Sequence, residues 1–229
     1  MKRIGLLGGM SWESSVEYER LINTEVRKRL GGSASGDLVV RSYNFAVIQE
    51  LQEADRWDDA GALLAADAVT LVAAGAELIA LCTNTMHRVA PAIEEAIDVP
   101  FLHIADATSA AIHGAAISTV GLLGTRYTME QEFYRGRLER RGIDVVVPED
   151  ADRTVVHDTI FDELVRGIIS DASRSEFLRV VDGLVDRGAE GIVAGCTEIE
   201  LLVGPDDLEV PYFPTTALHA RALVDASLA

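Results

Sequence analysis

The chain has 229 residues, of which 48% are hydrophobic, and its 20 basic and 37 acidic residues give a formal charge of −17. This length and apolar content suit two compact units of about 100 residues each. An acidic chain without a basic stripe excludes duplex nucleic acid as a partner. No apolar stretch approaches the roughly 18 residues that a membrane helix needs, so we expect a cytoplasmic protein with no membrane partner.

The first half of the chain alternates short apolar runs with helical segments. Runs that are apolar on both faces predict buried parallel strands, here at Ile4–Leu7, Leu38–Tyr43, Leu78–Leu81 and Phe101–Ile104. Helical spacing of apolar residues predicts long helices over residues 16–30 and 59–74. The pattern Ser14-x-x-Glu17 is expected to cap the first of these helices, and Gly31 to end it.

The second half has the same coarse plan. Its predicted strands are Thr119–Leu123, Ile143–Val147, Gly191–Ala194 and Val210–Phe213. The pattern Thr128-x-x-Gln131 is expected to open a helix. Alternating strands and helices predict a mainly parallel four-stranded sheet flanked by helices in each half.

Three internal matches support a duplication. Residues 75–84 (GAELIALCTN) match residues 188–197 (GAEGIVAGCT) without a gap, at an offset of 113 (188 minus 75). Residues 4–8 match residues 120–124, and residues 99–101 match residues 210–212, in the same order. We therefore predict two pseudo-symmetric α/β domains, residues 1–103 with 214–229 and residues 104–213, with the active site in the cleft between them.

Four loops follow predicted strands and are candidates for ligand binding, because open parallel sheets bind ligands at the carboxyl ends of their strands. They begin at Gly8, Cys82, Gly124 and Cys196. Both cysteines of the chain lie in these loops. No C-x-x-C pair or zinc-type histidine spacing accompanies them, so we expect neither a disulfide framework nor a metal site.

Two similar loops facing one substrate suit racemisation, in which one group removes the Cα proton and another returns a proton to the opposite face. A thiol is a good acid–base group because its pKa starts near 8.5 and is lowered easily at a helix N-terminus. The gap-free repeat pairs Cys196 with Thr83 and leaves Cys82 opposite Gly195. Adjacent strand residues point to opposite faces, so Cys82 is expected to be structural or, at most, accessory.

Backbone N–H groups at helix N-termini bind anions, and the same loops could therefore hold a substrate carboxylate and stabilise the carbanion-like transition state. The candidate substrate-binding residues of these loops are Met10, Asn84, Thr85, Thr125, Thr197 and Glu198. His87 is a candidate accessory residue that tunes the acid–base group or orients the substrate. The other four histidines show no ligand spacing and are assigned no chemistry.

Four ordered motifs resemble the aspartate/glutamate racemase family over essentially the whole chain. They are GLLGGMSWES from Gly5, CTNTMH at 82–87, LLGTRYTM at 122–129 and GCTEI at 195–199. The resemblance implies a two-domain α/β fold, no pyridoxal phosphate (PLP), no metal, two opposing acid–base groups and a homodimer. It places Thr83 where the family has its first catalytic cysteine, and Cys196 at the second.

The resemblance also implies a substrate class, L- and D-aspartate or glutamate or related small polar amino acids. Arg166 lies where the family often has a basic residue for the distal carboxylate, and the absence of a second cation suggests relaxed specificity. Cys196 is expected to abstract the proton, and Thr83, a bound water or Cys82 to return one. Two alternatives stay open: a single-cysteine decarboxylase or isomerase of the same fold, and a non-catalytic small-ligand-binding module.

Overall fold

The computed structural model describes all 229 residues and divides the chain into two compact units. The first unit contains Met1–Ile104 and His219–Ala229, and the second contains Ala105–Leu218. The chain returns to the first unit at His219 rather than at residue 214. Thr215 and Thr216 stay with the second unit because the Thr215 hydroxyl donates to the Ala194 carbonyl and the Thr216 N–H donates to the Glu200 carboxylate.

The first unit is built on a four-stranded parallel sheet in the order β2-β1-β3-β4. Its strands are β1 (Ile4–Gly8), β2 (Leu38–Ser42), β3 (Leu78–Leu81) and β4 (Phe101–Leu102). Its helices are α1 (Trp12–Leu30), α2 (Phe45–Glu53), α3 (Trp57–Ala73) and α4 (Ala90–Ala96), with a 3₁₀ turn at Thr85–Val89. Helix α5 (Ile104–Gly114) leads into the second unit.

The second unit has a parallel sheet in the corresponding order, β6-β5-β7-β8. Its strands are β5 (Thr119–Gly124), β6 (Asp144–Val146), β7 (Ile192–Gly195) and β8 (Tyr212–Pro214). Its helices are α6 (Arg126–Glu130), α7 (Arg135–Glu139), α8 (Asp150–Asp158), α9 (Asp171–Asp186) and α10 (Ile199–Leu202). Helix α11 (Thr215–Leu228) begins in this unit and ends in the first. The predicted fold class, two mainly parallel four-stranded sheets flanked by helices, is confirmed.

Each sheet buries an apolar face against helices. In the first unit, alternate residues of β1 and β3 pack against α1 and α11, in a core that contains Ile4, Leu6, Leu78, Ala80, Tyr18, Ile22, Leu223 and Val224. In the second unit, alternate residues of β7 pack against α8 and α9, in a core that contains Ile192, Ala194, Val156, Phe177, Val180 and Leu184. Successive side chains of a strand point to opposite faces of the sheet. This alternation determines whether the first residue after a strand lies on the core face.

Several predicted boundaries are wrong; strand β8, for example, covers Tyr212–Pro214 and not Val210–Phe213. Helix α1 begins at Trp12, and the Ser11 hydroxyl caps it by accepting from the Ser14 N–H, so Ser14 is not its cap. Thr128 likewise lies inside α6, which is capped by Thr125. Strand β4 ends at Leu102, and Ile104 already belongs to α5. The predicted end of α1 at Gly31 is confirmed, since Gly31 is the C-cap at φ 74°.

None of the helices has both the length and the continuous apolar character needed to cross a lipid bilayer.

Candidate active site

The side chains selected from the sequence lie mainly at the carboxyl ends of two adjacent strands in each unit. In the order β2-β1-β3-β4, the connection from β1 leads to β2 on one side, and the connection from β3 leads to β4 on the other side. The topological switch point therefore lies between β1 and β3. An open parallel sheet binds its ligand at such a point. Strands β5 and β7 are the corresponding pair in the second unit. Each unit therefore has one candidate site.

In the second unit, Cys196 follows β7 directly and continues the apolar face that contains Ala194. Its Sγ donates a hydrogen bond to the Glu198 carboxylate, with 2.9 Å between Sγ and Oε2. Cys196 is 9% exposed and Glu198 is 6% exposed. The thiol and the carboxylate thus form a nearly buried pair between which a proton can pass without a long displacement.

The surroundings of Cys196 favour its protonated form. Burial raises the pKa of the thiol well above its usual value, and the Glu198 carboxylate raises it further by charge repulsion and by accepting the thiol hydrogen bond. The backbone N–H groups of Glu198 and Ile199, at the start of α10, act in the opposite direction because they stabilise a thiolate. The resting state is a thiol beside a carboxylate, so Cys196 can act as a base only when its own proton moves away.

Two glycines let β5 and β7 approach each other just before this loop. A Cβ at Gly195 would lie 2.8 Å from the Leu123 carbonyl oxygen, and one at Gly124 would lie 3.0 Å from the Gly195 carbonyl oxygen. Both contacts are with backbone, which cannot rotate away. A side chain at either position would therefore push the strands apart and displace Cys196.

Hydrogen bonds also attach the Cys196 loop to the start of α11. The hydroxyls of Thr197 and Thr216 lie 3.0 Å apart, and the Thr215 hydroxyl donates to the Ala194 carbonyl at 2.7 Å. The Thr216 N–H donates to the Glu200 carboxylate at 3.1 Å. Thr197, predicted to bind substrate, is buried and already bonded within the protein.

In the first unit, Thr83 occupies the position after Cys82 at the end of β3, and its side chain is partly exposed. Asn84 and Thr85 follow it and are buried, at 4% and 9% exposure. His87 is also buried, and its Nδ1 lies 2.7 Å from the Thr83 carbonyl oxygen. His87 therefore acts on the backbone of the Thr83 loop, which neither of its predicted roles anticipated.

Cys82 lies in the core of the first unit, on the same face as Leu78 and Ala80, and has no exposed surface. Burial raises the pKa of its thiol far above the usual value. A thiol in this position packs like a small hydrophobic side chain. The structure thus places Cys82 on the core face that contains Leu78 and Ala80, which continues the alternation of strand residues.

The loops after β1 and β5 complete the two sites. Gly9 has φ +81°, and its N–H donates to the Ser15 hydroxyl at 2.6 Å. Met10 follows and is buried. In the second unit, the Thr125 hydroxyl accepts from the Thr128 N–H and thereby caps α6. Met10 and Thr125, both predicted to contact substrate, lie beyond the carboxyl ends of β1 and β5, each in its own unit.

Arg166 is the one predicted site residue that does not lie in a loop after a strand. It ends a 3₁₀ turn that follows a π-helical turn at Thr159–Glu163. Its side chain is 67% exposed, and its guanidinium lies 3.8 Å from the Asp162 carboxylate, a weak surface pair. The turn that contains Arg166 packs against α10, directly after the Cys196 loop, and Leu164 of this turn shares a core with Cys196. The ion pair of the Arg166 side chain itself is with Asp162 and not with that loop.

Sequence reasoning missed four residues in or near the sites. His103 and His219 are buried, and their rings lie 4.4 and 5.9 Å from that of His87. His157 accepts from the Arg126 N–H at the start of α6, and burial lowers the pKa of His157. Glu200 bonds to the start of α11, as described above. The histidines are far apart in sequence, so no spacing signals them, but Glu200 could have been found by aligning it with His87 at the repeat offset.

The fold and the two sites define a class of protein: a duplicated α/β enzyme fold with a thiol–carboxylate pair at one switch point and a hydroxyl at the equivalent point of the other repeat. The family model described as Asp/Glu/Hydantoin racemase matches residues 7–223. The chain belongs to this family, whose members act on small amino-acid-like substrates, and it is a racemase, an isomerase by class.

Relatives cover the whole chain. A crystal structure of a protein from Yersinia pestis, proposed as an Asp/Glu racemase, is 51% identical with a TM-score of 0.95, and each chain covers 100% of the other. An aspartate racemase homologue from Pyrococcus horikoshii OT3 is 32% identical with a TM-score of 0.88, again over 100% of both chains. The broad specificity amino-acid racemase RacX of Bacillus subtilis (strain 168) is 26% identical over 99% of this chain and 98% of its own.

Proposed function

We propose that this protein interconverts L- and D-aspartate, L- and D-glutamate or related small polar amino acids by two-base transfer of the Cα proton, without PLP. Cys196 and Thr83 are the two acid–base residues. The observation that carries the proposal is the Cys196–Glu198 pair at the switch point of one repeat, with Thr83 at the equivalent position of the other. The names of the relatives, aspartate racemase homologue and broad specificity amino-acid racemase, support the substrate class.

Cys196 removes or delivers the proton on one face of the substrate, and Glu198 relays that proton. The Glu198 carboxylate accepts the thiol proton first, which leaves a thiolate that the N–H groups of Glu198 and Ile199 stabilise. The thiolate then takes the Cα proton. This role replaces the predicted substrate-binding role of Glu198, because a carboxylate bonded to a thiol would repel a substrate carboxylate.

Thr83 supplies a proton to the opposite face through its hydroxyl, directly or through a water. Water then reprotonates the Thr83 oxygen and Glu198 releases its proton to solvent, so the site returns to its starting protonation state. A hydroxyl is a much weaker acid and base than a thiol, so this half of the reaction is the slower one. Met10, Asn84, Thr85, Thr125 and Thr197 line the loops where the substrate α-carboxylate binds, and Arg166 is proposed to contact the distal carboxylate. Cys82 has a packing role, and its thiol takes no part.

Proton NMR in D₂O with a panel of L- and D-amino acids, followed by chiral chromatography, tests the proposal. We expect loss of the Cα signal and appearance of the other enantiomer, abolished by Cys196→Ala. Hydroxylamine, which traps PLP, should not inhibit. Absence of Cα exchange with every member of the panel would refute a racemase; binding alone would favour a ligand-binding module, and release of CO₂ a decarboxylase.

Single-base variants make this test sharper. Thr83→Ala keeps the Cys196–Glu198 pair, so it should still exchange the Cα proton of one enantiomer with deuterium while forming none of the other. Cys196→Ala should lose exchange with that same enantiomer. Equal losses for both enantiomers in Thr83→Ala would remove Thr83 from the proton-transfer scheme.

We also propose that the protein acts as a cytoplasmic homodimer. Analytical ultracentrifugation checks the assembly: a species of twice the 24.7 kDa chain mass is expected, and a single species at the chain mass would refute the dimer.

A further inference from the structure

The two repeats share a hydrogen bond that no pattern of residue types reveals. Four residues beyond Thr83 is His87, and four residues beyond Cys196 is Glu200. His87 Nε2 accepts from the Ile104 N–H at 3.2 Å, and Glu200 Oε1 accepts from the Thr216 N–H at 3.1 Å. Both donors lie in the first two residues of the helix that follows the next strand, α5 in one repeat and α11 in the other.

The two acceptors differ chemically but occupy equivalent places. The residue numbers of Glu200 and His87 differ by 113, and those of Cys196 and Thr83 differ by the same offset. In each case the bond joins the loop that carries the acid–base residue to a helix start within the same unit. One repeat makes this contact with an imidazole and the other makes it with a carboxylate. The site therefore requires the contact and not a particular residue type.

In the first unit, the His87 ring bonds both to the Thr83 loop and to the start of α5. Its Nδ1–H donates to the Thr83 carbonyl, which leaves Nε2 as an acceptor for Ile104. Only the neutral ring with its proton on Nδ1 can make both bonds, because an imidazolium has no acceptor. His87 is thereby a rigid spacer of fixed length between the Thr83 backbone and α5.

In the second unit, the spacer is Glu200, which lies on α10 directly after the Cys196 loop. Backbone bonds hold it to that loop, since the Glu200 N–H donates to the Thr197 carbonyl. Its carboxylate then reaches Thr216. The Cys196 thiol donates to Glu198 and not to Glu200, so Glu200 acts on Cys196 by holding the backbone of its loop.

We propose that His87 and Glu200 are paired positioning residues that fix the loops of Thr83 and Cys196 against the following helices. The proposal rests on the proposed function for the roles of Thr83 and Cys196. A loop beyond the end of a strand has no sheet ladder to hold it, and a displacement of about 1 Å at a reacting group can reduce a rate about 100-fold. One side chain per repeat supplies the missing constraint.

Three substitutions at Glu200 separate position from charge. Glu200→Gln keeps an acceptor oxygen at the same reach, Glu200→Asp keeps the charge but shortens the reach, and Glu200→Ala removes both. We expect kcat to fall about tenfold in Glu200→Asp and Glu200→Ala, with KM within about twofold, and to be retained in Glu200→Gln. Glu200→Asp is the conservative variant that keeps the test valid if Glu200→Ala does not fold.

Glu190 provides a matched control in the same sheet. Its carboxylate accepts from the backbone N–H groups of Ser118 and Thr119 at the amino ends of the strands, whereas Cys196 lies at the carboxyl end of β7. Glu190→Ala therefore removes the same kind of bond and the same charge. It should leave kcat unchanged within about twofold, even where it lowers stability.

Alkylation of Cys196 by iodoacetamide gives a second measurement that does not depend on racemase activity. A loosened loop exposes the nearly buried thiol, so Glu200→Asp should be alkylated about tenfold faster at Cys196, while kcat falls. Cys82, buried in the core of the first unit, should stay unmodified and so report against global unfolding. Mass spectrometry distinguishes the two cysteines.

The equivalent test in the first unit uses a Thr83→Cys background, which places a thiol on that loop. His87→Leu in this background should increase alkylation at position 83 and lower kcat about tenfold. His87→Gln, which retains a donor and an acceptor, should recover at least half of the lost kcat.

The outcomes separate this inference from the proposed function. If the wild-type protein exchanges no Cα proton, the proposed function fails, and the alkylation rates alone decide the positioning role. If Glu200→Asp and His87→Leu match the Glu190→Ala control in both kcat and alkylation, the positioning role is refuted. If Glu200→Gln is as impaired as Glu200→Ala, the charge of Glu200 and not its hydrogen bond is what matters, and the inference is equally overturned.

Discussion

At the scale of single residues, the chemistry of the second unit depends on opposing effects at Cys196. Burial and the Glu198 carboxylate favour the thiol, and the backbone N–H groups of Glu198 and Ile199 favour the thiolate. Glu198 therefore has two effects: it is the acceptor for the thiol proton, and while it stays ionised its charge disfavours loss of that proton to solvent. A substitution at Glu198 should change reactivity and catalysis in opposite directions.

Glu198→Gln removes the charge and keeps the side-chain size. The pKa of Cys196 should fall, because two of the causes that raise it are lost, and alkylation of Cys196 between pH 7 and 9 should become faster. The rate of Cα exchange should nevertheless fall, by about 100-fold, since the proton acceptor is gone. Alkylation rates against pH, read by mass spectrometry, and exchange rates by NMR check both parts. Slower alkylation in the variant would contradict the assigned effect of the carboxylate.

Thr83→Cys tests the other acid–base position. A thiol has a pKa nearer to the working pH than a hydroxyl, so turnover should rise by about 10- to 100-fold. Two enantiomers have equal free energy, so kcat/KM must rise by the same factor in both directions. Chiral assays started from each enantiomer measure the two values, and Thr83→Ser, which keeps a hydroxyl, is the control. Unchanged or lower turnover in Thr83→Cys would count against Thr83 as the slower base.

At the scale of secondary-structure elements, the sequence predicted the strands better than the ends of the helices. Short runs that are apolar on both faces located all eight strands, because a parallel strand covered by helices on both sides of its sheet is apolar on both faces. The two helix starts were misplaced because Ser11 and Thr125 cap through side-chain hydrogen bonds that any nearby serine or threonine could make. Local pattern does not decide between such neighbours, whereas the packing of the loop after the strand does.

The candidate sites show the same division. The repeat offset was enough to pair Thr83 with Cys196, and strand alternation was enough to separate Cys82 from Thr83. The Cys196–Glu198 bond and the His87 and Glu200 bonds were not predictable, because they depend on side-chain direction in loops that lack a fixed period. Arg166 was placed through family resemblance alone; the structure packs its turn against α10 but pairs its side chain with Asp162.

The close approach of β5 and β7 gives a prediction at this scale. Gly195→Ala should destabilise the protein by about 1–3 kcal/mol, because its Cβ meets the Leu123 carbonyl oxygen, and it should lower the exchange rate by moving Cys196. Gly183→Ala is the matched control: this glycine is in helix α9 with no atom near the added Cβ, so it should stabilise by about 0.5–1 kcal/mol. Urea denaturation measures both, and similar effects of the two substitutions would disprove the backbone contact.

At the scale of the whole molecule, the duplication has produced two units that share topology but differ in their use of cysteine. In the first unit the Cys82 thiol fills the core next to Thr83, and in the second the Cys196 thiol begins the loop after β7, where we propose that it transfers the proton. Gly195 is the repeat equivalent of Cys82, and β7 has no space there for a side chain. The two copies therefore cannot exchange residues at these positions, although their sheets have the same strand order.

Both thiols have a pKa that is raised by burial in the folded protein, which predicts alkaline instability. Unfolding returns each thiol to a pKa near 8.5, so below about pH 8.5 both states are protonated and the thiols leave stability unaffected. As pH rises above that value, the unfolded chain loses protons that the folded protein retains, and the free energy of unfolding should fall by up to about 1.4 kcal/mol per pH unit for each thiol.

Urea denaturation between pH 8.5 and 9.5, about the range below tyrosine ionisation, measures this slope. Cys82→Ala should reduce the slope by about half while also lowering stability at every pH through lost packing. An unchanged slope in this variant would show that the core thiol does not control the alkaline transition.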